Sequence, residues 1–230
     1  MSKLKKKLAR QIPMSGELTR KIIHLFSLSI PIGYYYLSYR TTLTILIPLT
    51  IIAVFVDYGR FYFTWLNKFF LSLVGPILRP HERDGSRKLI SGGSFIFISA
   101  CFCIIVFPKV IAITAFAILI ISDASSALIG RSFGKHHFLD KSLEGTLAFI
   151  GTAWIVVAVT PKVNGRWEEY LIGAAAAIIG GIIEASSVTL HADDNFSVPI
   201  SIGISMWLGY FLFSILSPSS FGQIYNALAG

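Results

Sequence analysis

A chain of 230 residues that is 54% hydrophobic and only 14% charged, with a mean hydropathy of +0.69, is too apolar for a soluble domain. Its formal net charge of +8 gathers at the N-terminus and in short loops, a pattern of membrane orientation and headgroup contact and not of nucleic-acid binding. Cys101 and Cys103 stand two residues apart in an apolar run, too close along a helix and too apolar in setting to suggest a disulfide or metal framework, and are read as packing residues.

A hydrocarbon core about 30 Å thick asks for roughly 20 apolar residues per helical span. The basic run from Lys3 to Arg10 sets the N-terminus on the cytoplasmic side, resting on anionic headgroups within a basic segment 1–20. No small-residue cleavage site precedes Ile22, so this run is read as something other than a secretory signal. Spans are then expected at about 22–39, 41–56, 89–107, 110–129, 143–159, 170–190 and 196–216.

Between the second and third spans lies a cytoplasmic or interfacial loop, 57–88. Its amphipathic part (Phe61, Tyr62, Trp65, Phe69, Phe70, Leu73) is expected in the interface plane. Turn signals at Gly75-Pro76, Arg79-Pro80 and Asp84-Gly85 make 80–88 irregular. In lipid every backbone polar group needs an internal partner, and these runs are too long for barrel strands. The expectation is one all-α domain over 1–230, a polytopic bundle of about seven transmembrane helices.

On this topology, of the 20 Lys and Arg residues only Arg40, Lys109, Lys162 and Arg166 fall on the outer side. The acids follow suit, since of 12 only Glu168 and Glu169 lie outside, and all 5 histidines lie inside. Orientation rules explain the basic asymmetry but not the acidic one, so a mixed-charge site on the cytoplasmic face is the simpler account.

Glu17, Lys21 and His24 recur at spacings of four and three with Arg20 beside them, one stripe entering the first span. A helical ion pair with a packed histidine is the plain alternative. In the fourth span Asp123 and Arg131 are two turns apart, with Gly130, Gly134 and Lys135 close by. An acid and bases among small residues suit Mg²⁺ and phosphate oxygens, while a structural Asp123–Arg131 pair is the plain alternative. Lys141 and Ser142 open the fifth span, where a positive helix end favours anions, and Glu144 follows in its first turn. Glu184 lies near the inner end of the sixth span, and Asp193-Asp194-Asn195 fills the turn before the seventh.

Glu17, Arg20, Lys21 and His24 resemble the E-x-x-R-K-x-x-H opening of the CTP-dependent membrane lipid kinases, which include dolichol kinase, phytol kinase and diacylglycerol kinase. The series Asp123, Gly130, Arg131, Gly134, Lys141, Ser142, Glu144, Gly145 resembles the nucleotide signature these kinases share with phosphatidate cytidylyltransferases. The cytidylyltransferase ending, with its Lys-Arg and Lys-Asp pairs and Gly-His-Gly-Gly stretch, is missing. Glu184, Asp194-Asn195 and Pro199 look like the kinase ending, as do Asp57 with Arg60 and Glu82 with Lys88 and Gly92.

The resemblance implies CTP as donor and a membrane lipid alcohol (polyprenol, phytol or diacylglycerol) as acceptor. Lys21, Arg131, Lys135, Lys141 and Ser142, with Gly130, Gly134 and Asn195, would hold nucleotide and phosphates. Asp123, Glu144 and Asp194 would hold Mg²⁺, and Glu184, His24 and Asp57 are candidate bases. Neither a Walker loop nor a protein-kinase glycine loop occurs, but phosphoryl transfer needs positioning and charge more than any one loop. A cytidylyltransferase making a CDP-lipid is the alternative. A transporter is a more distant one, lacking here both an internal repeat and paired broken helices.

Overall fold

A computed structural model describes residues 14–75, 90–190 and 192–216. The chain runs α1 (Met14–Phe26), α2 (Ser29–Tyr36), α3 (Tyr39–Gly59), α4 (Thr64–Val74), α5 (Gly92–Val106) and α6 (Lys109–Phe133). A two-strand hairpin follows, β1 (His137–Phe138) and β2 (Lys141–Ser142), then α7 (Leu143–Val159), α8 (Trp167–Ala185) and α9 (Asp194–Leu216). The molecule is an all-helical bundle, and the hairpin is its one strand pair among the described residues.

Three helices, α3, α6 and α9, are long and apolar enough to cross a bilayer, and α5 and α7 are shorter apolar helices. The 19-residue α8 carries acids at both ends, Glu168 and Glu169 at one and Glu184 at the other. The expected irregular stretch 80–88, and with it Glu82, Asp84 and Lys88, lies outside the described residues, as do 1–13, His81, His191 and 217–230.

The run expected as one continuous span over 22–39 is two helices, α1 and α2. The reason is Pro31, whose ring would collide with the carbonyl of residue 27 in an unbroken helix. Ser27 O accepts instead from Ile30 N at 3.0 Å, and Ser27 N and Leu28 N donate three residues back to His24 O and Leu25 O.

Apolar on all sides, α6 becomes the central helix, with Ile111, Ile118, Leu119 and Ile120 wholly buried. Around it α7, α8 and α9 pack closely through small residues. A Cβ on Gly203 would come 2.4 Å from the Phe107 ring, so only glycine admits that approach. The α2 helix packs on α6 while α3 packs on α5, so a groove is left between α3 and the α1–α2 pair.

At the end of the bundle expected outside, the turn 160–166 is tied to α8. Glu169 is fully buried and accepts from Val163 N (2.8 Å), Asn164 N (3.0 Å), Arg166 N (3.1 Å) and the Tyr210 hydroxyl (2.8 Å). At the other end the hairpin is anchored to α8, with Asp140 N donating to Ala185 O at 2.9 Å. The Asp140 carboxylate accepts from Thr189 N (2.7 Å) and the Thr189 hydroxyl (2.9 Å).

Candidate functional site

The helical stripe of α1 faces α6. Lys21, almost wholly buried, is ion-paired with Asp123, and His24 Nε2 lies 3.7 Å from Asp123 Oδ2. One turn nearer the end, Glu17 pairs with Arg20 and lies 3.5 Å from the Arg131 guanidinium. The plain alternative of an Asp123–Arg131 pair is therefore not realised. Each residue of that proposed pair turns to α1, because two helical turns separate the two by about 12 Å along α6.

The hairpin brings Lys141 back over this end. Its ammonium group is ion-paired with Glu184 at the end of α8 and lies 3.6 Å from Asp194 Oδ2 at the start of α9. Ser126, one turn beyond Asp123 on α6, donates to Glu184 Oε1 at 3.1 Å. Ser126 received no role from the sequence, though its i, i+3 relation to Asp123 put it on the same face.

Five elements thus converge in one cluster of Lys21, His24, Asp123, Lys141, Glu184 and Asp194. Two ammonium groups face three carboxylates, an excess of negative charge that a cation would offset. Burial opposes the charge on Lys141, but Asp194, Glu184 and Asp123 outweigh it and raise its pKa above the usual lysine value. Asp140 in the hairpin has its pKa lowered, first by the Thr189 backbone N–H and also by the Thr189 hydroxyl.

The other expected residues are placed differently. Glu144 turns back to the hairpin, its Oε1 2.8 Å from His136 Nδ1 and accepting from His136 N at 3.1 Å. Among the described residues no three His, Cys, Asp or Glu side chains come together as an ion-binding group, so the set Asp123, Glu144, Asp194 is not assembled. Donor chemistry alone fits Mg²⁺. Asp123, Glu184 and Asp194 offer only oxygen, and the buried Glu184 Oε2 has no hydrogen-bond partner among the described residues.

Ser142 caps α7, accepting from Gly145 N at 3.2 Å. Gly130 and Gly134 pack against it, since a Cβ on either would come within 3 Å of Ser142 Oγ. These glycines seat the start of α7 against α6; they are not an open phosphate cradle. Lys135 is exposed at the rim.

Asp57 belongs to a second grouping. It accepts from Ser91 N at the start of α5 and lies 3.1 Å from Arg60 Nε. The Arg60 guanidinium is held between the rings of Phe61 (4.6 Å) and Phe70 (4.5 Å). Asn195 donates to Asp193 Oδ1 at 2.8 Å and reaches Gly92 O at 3.5 Å, joining α9 to α5.

Asp57, Asn195, Arg20 and His24 all line one end of the groove, a cavity of about 760 Å³. The rest of the groove is mostly apolar, and Phe26, Ile45 and Leu49 on its walls are exposed, so it opens sideways. His24 is shared, lining the groove and reaching Asp123 of the ionic cluster.

The uncharacterized protein RP860 of Rickettsia prowazekii (strain Madrid E) is 29% identical to this chain over 189 residues, covering 82% of this chain and 92% of that protein. No protein-family model matches the chain, and no solved structure matches it.

Proposed function

We propose that the protein is a multi-pass membrane lipid kinase that transfers the γ-phosphate of CTP to the hydroxyl of a lipid alcohol at the cytoplasmic face. A seven-span topology with a cytoplasmic N-terminus is part of the same reading. One observation carries it. A buried cluster of alternating lysines and carboxylates, drawn from five elements, meets the polar end of an apolar, side-opening groove at His24. The choice of CTP rests on the sequence resemblance.

In the resting cluster Lys21 pairs with Asp123, and Lys141 with Glu184 and Asp194, leaving one carboxylate charge in excess. On nucleotide binding these ammonium groups turn to the phosphates, joined by Arg131 and Lys135 from the rim. With these ammonium groups turned away, Asp123 and Asp194 would hold Mg²⁺, which would shield the charge between phosphate oxygens. The groove keeps the acceptor chain out of water and sets its hydroxyl at His24.

The hydroxyl oxygen bonds to the γ-phosphorus as the bond to the β–γ bridging oxygen breaks, and CDP leaves. The hydroxyl proton goes to His24. Glu184 holds Lys141 over the cluster until the nucleotide binds, and Asp57 holds the start of α5 and with it the groove's polar end. Rate acceleration comes from alignment and charge neutralisation.

The experiment is to incubate purified protein, Mg²⁺ and a lipid-alcohol panel with CTP labelled at either the γ- or the α-phosphorus. Label from γ alone is expected in the lipid, with CDP released. A lipid carrying α-label and cytosine would instead identify a cytidylyltransferase.

A further inference from the structure

The groove has two unlike ends. At the inner end stand His24, Asp57 and Asn195, each more than nine-tenths buried, and His24 Nε2 has no hydrogen-bond partner among the described residues. From there the walls are apolar, with Ile30, Leu46, Leu49, Val56 and Phe97 leading to Leu37. That outer end is pinned, for Lys109 donates to Leu37 O at 2.9 Å and lies 5.2 Å from the centre of the Tyr34 ring. Along α3, Thr42 to Asp57 measures about 22 Å at 1.5 Å per residue.

We infer that this groove is a length-limited berth for one alkyl chain, anchored by a terminal hydroxyl at the inner end and stopped at Leu37. An extended chain advances about 1.25 Å per carbon, so about 17 carbons fit before the chain must leave through the side opening. The hydroxyl end rests on the kinase reading; the fixed depth of each carbon follows from the groove alone.

Gly33 sits on the groove wall towards the outer end, and a Cβ there meets nothing within 4 Å. A side chain at that position enters empty space and fills the outer part of the berth. It lies in α2, beyond the break at residues 27–28, between His24 at the head of the groove and Leu37 at its outer end.

The test uses alcohols with a photoreactive diazirine at carbon 6, 15 or 22, added to the full-length protein in bilayer discs without nucleotide. Crosslinked residues are then mapped by mass spectrometry. The carbon-6 probe is expected to label near Ala53 and Val56 and the carbon-15 probe near Thr42 and Ile45. Carbon 22 should give at least ~5-fold less protein label, its reactive end lying among lipids.

In Gly33→Phe the carbon-15 label should fall at least ~5-fold while the carbon-6 label stays. In Ala53→Phe, which narrows the groove beside the head, both should fall. Labelling that spreads equally whatever the diazirine position, or a Gly33→Phe protein with undiminished carbon-15 label, would overturn the berth. Depth-specific labelling in a protein that moves no phosphate from CTP would uphold the berth and sink the kinase reading.

Discussion

The two ends of α8 hold buried glutamates in opposite ways. Glu169 is surrounded by fixed donors, three backbone N–H groups and the Tyr210 hydroxyl, so both of its oxygens are committed. Glu184 relies on the side chains of Lys141 and Ser126 and keeps Oε2 without a hydrogen-bond partner among the described residues. A carboxylate satisfied by backbone cannot change partners without unfolding a turn. One satisfied by a lysine can exchange that cation for another by a change of rotamer, so on the proposed reading Glu184 can release Lys141 to a phosphate while Glu169 only holds its turn.

The comparison breaks most severely if Lys141 is removed. Lys141→Met leaves Glu184 buried without its cation, and thermal unfolding in detergent should show a loss of about 3 kcal/mol, the low end for a buried pair because Lys141 is partly exposed. Lys141→Met with Glu184→Gln should recover most of that stability. A double variant as unstable as the single one would mean the pair is not the source of the cost.

Next come the matched exchanges on α8. Glu184→Gln keeps shape but removes charge, and phosphoryl transfer should fall ~100-fold, near 3 kcal/mol of barrier, with little change in melting. Glu169→Gln should do the reverse. Its amide nitrogen would face donors, costing about 2 to 3 kcal/mol of stability, while turnover per folded molecule holds. Loss of turnover in the folded Glu169→Gln protein would erase the distinction between the two ends.

A milder probe is Tyr210→Phe, which withdraws one donor from Glu169 and should cost about 1 kcal/mol without touching activity. The smallest effect concerns Asp140, which ties the hairpin to Thr189. Its pKa is lowered in the fold, so its contribution is complete above the ordinary aspartate value of about 3.9 and is lost as pH falls through the lower folded value. Hydrogen exchange at Thr189 N–H should stay protected down to about pH 4 and open below it; protection already gone at pH 6 would exclude Asp140 as the tether.

Much of this was legible from periodicity. The stripe Glu17, Lys21, His24 turns one face to α6, as helical spacing requires, and Asp123 lies on the most buried helix of the three long ones. Partner choice was less legible. Lys21 and Asp123 are 102 residues apart, and their contact depends on where Pro31 ends the first helix and lets α2 lean on α6.

Lys141 meets Glu184 and Asp194 only because a two-residue-per-strand hairpin, with Leu139 at φ 49, reverses the chain between α6 and α7. Glu144 was expected beside Asp123 and Asp194 as a Mg²⁺ ligand, yet the same reversal brings His136 to it first. Gly130 and Gly134 carried a signal of close approach that was real, but what approaches is Ser142.

The groove's open side changes which concentration matters. A pocket entered from water fills according to moles per litre, but the groove, on the proposed reading entered between Phe26 and Leu49 from the hydrocarbon, fills according to the mole fraction of its occupant in the leaflet. Adding more protein-free lipid or detergent at constant total substrate would then empty it, as competitive inhibition would, although nothing competes. Rates compared between preparations have meaning only at equal surface dilution, and a substrate undetectable in the aqueous phase can still saturate the site.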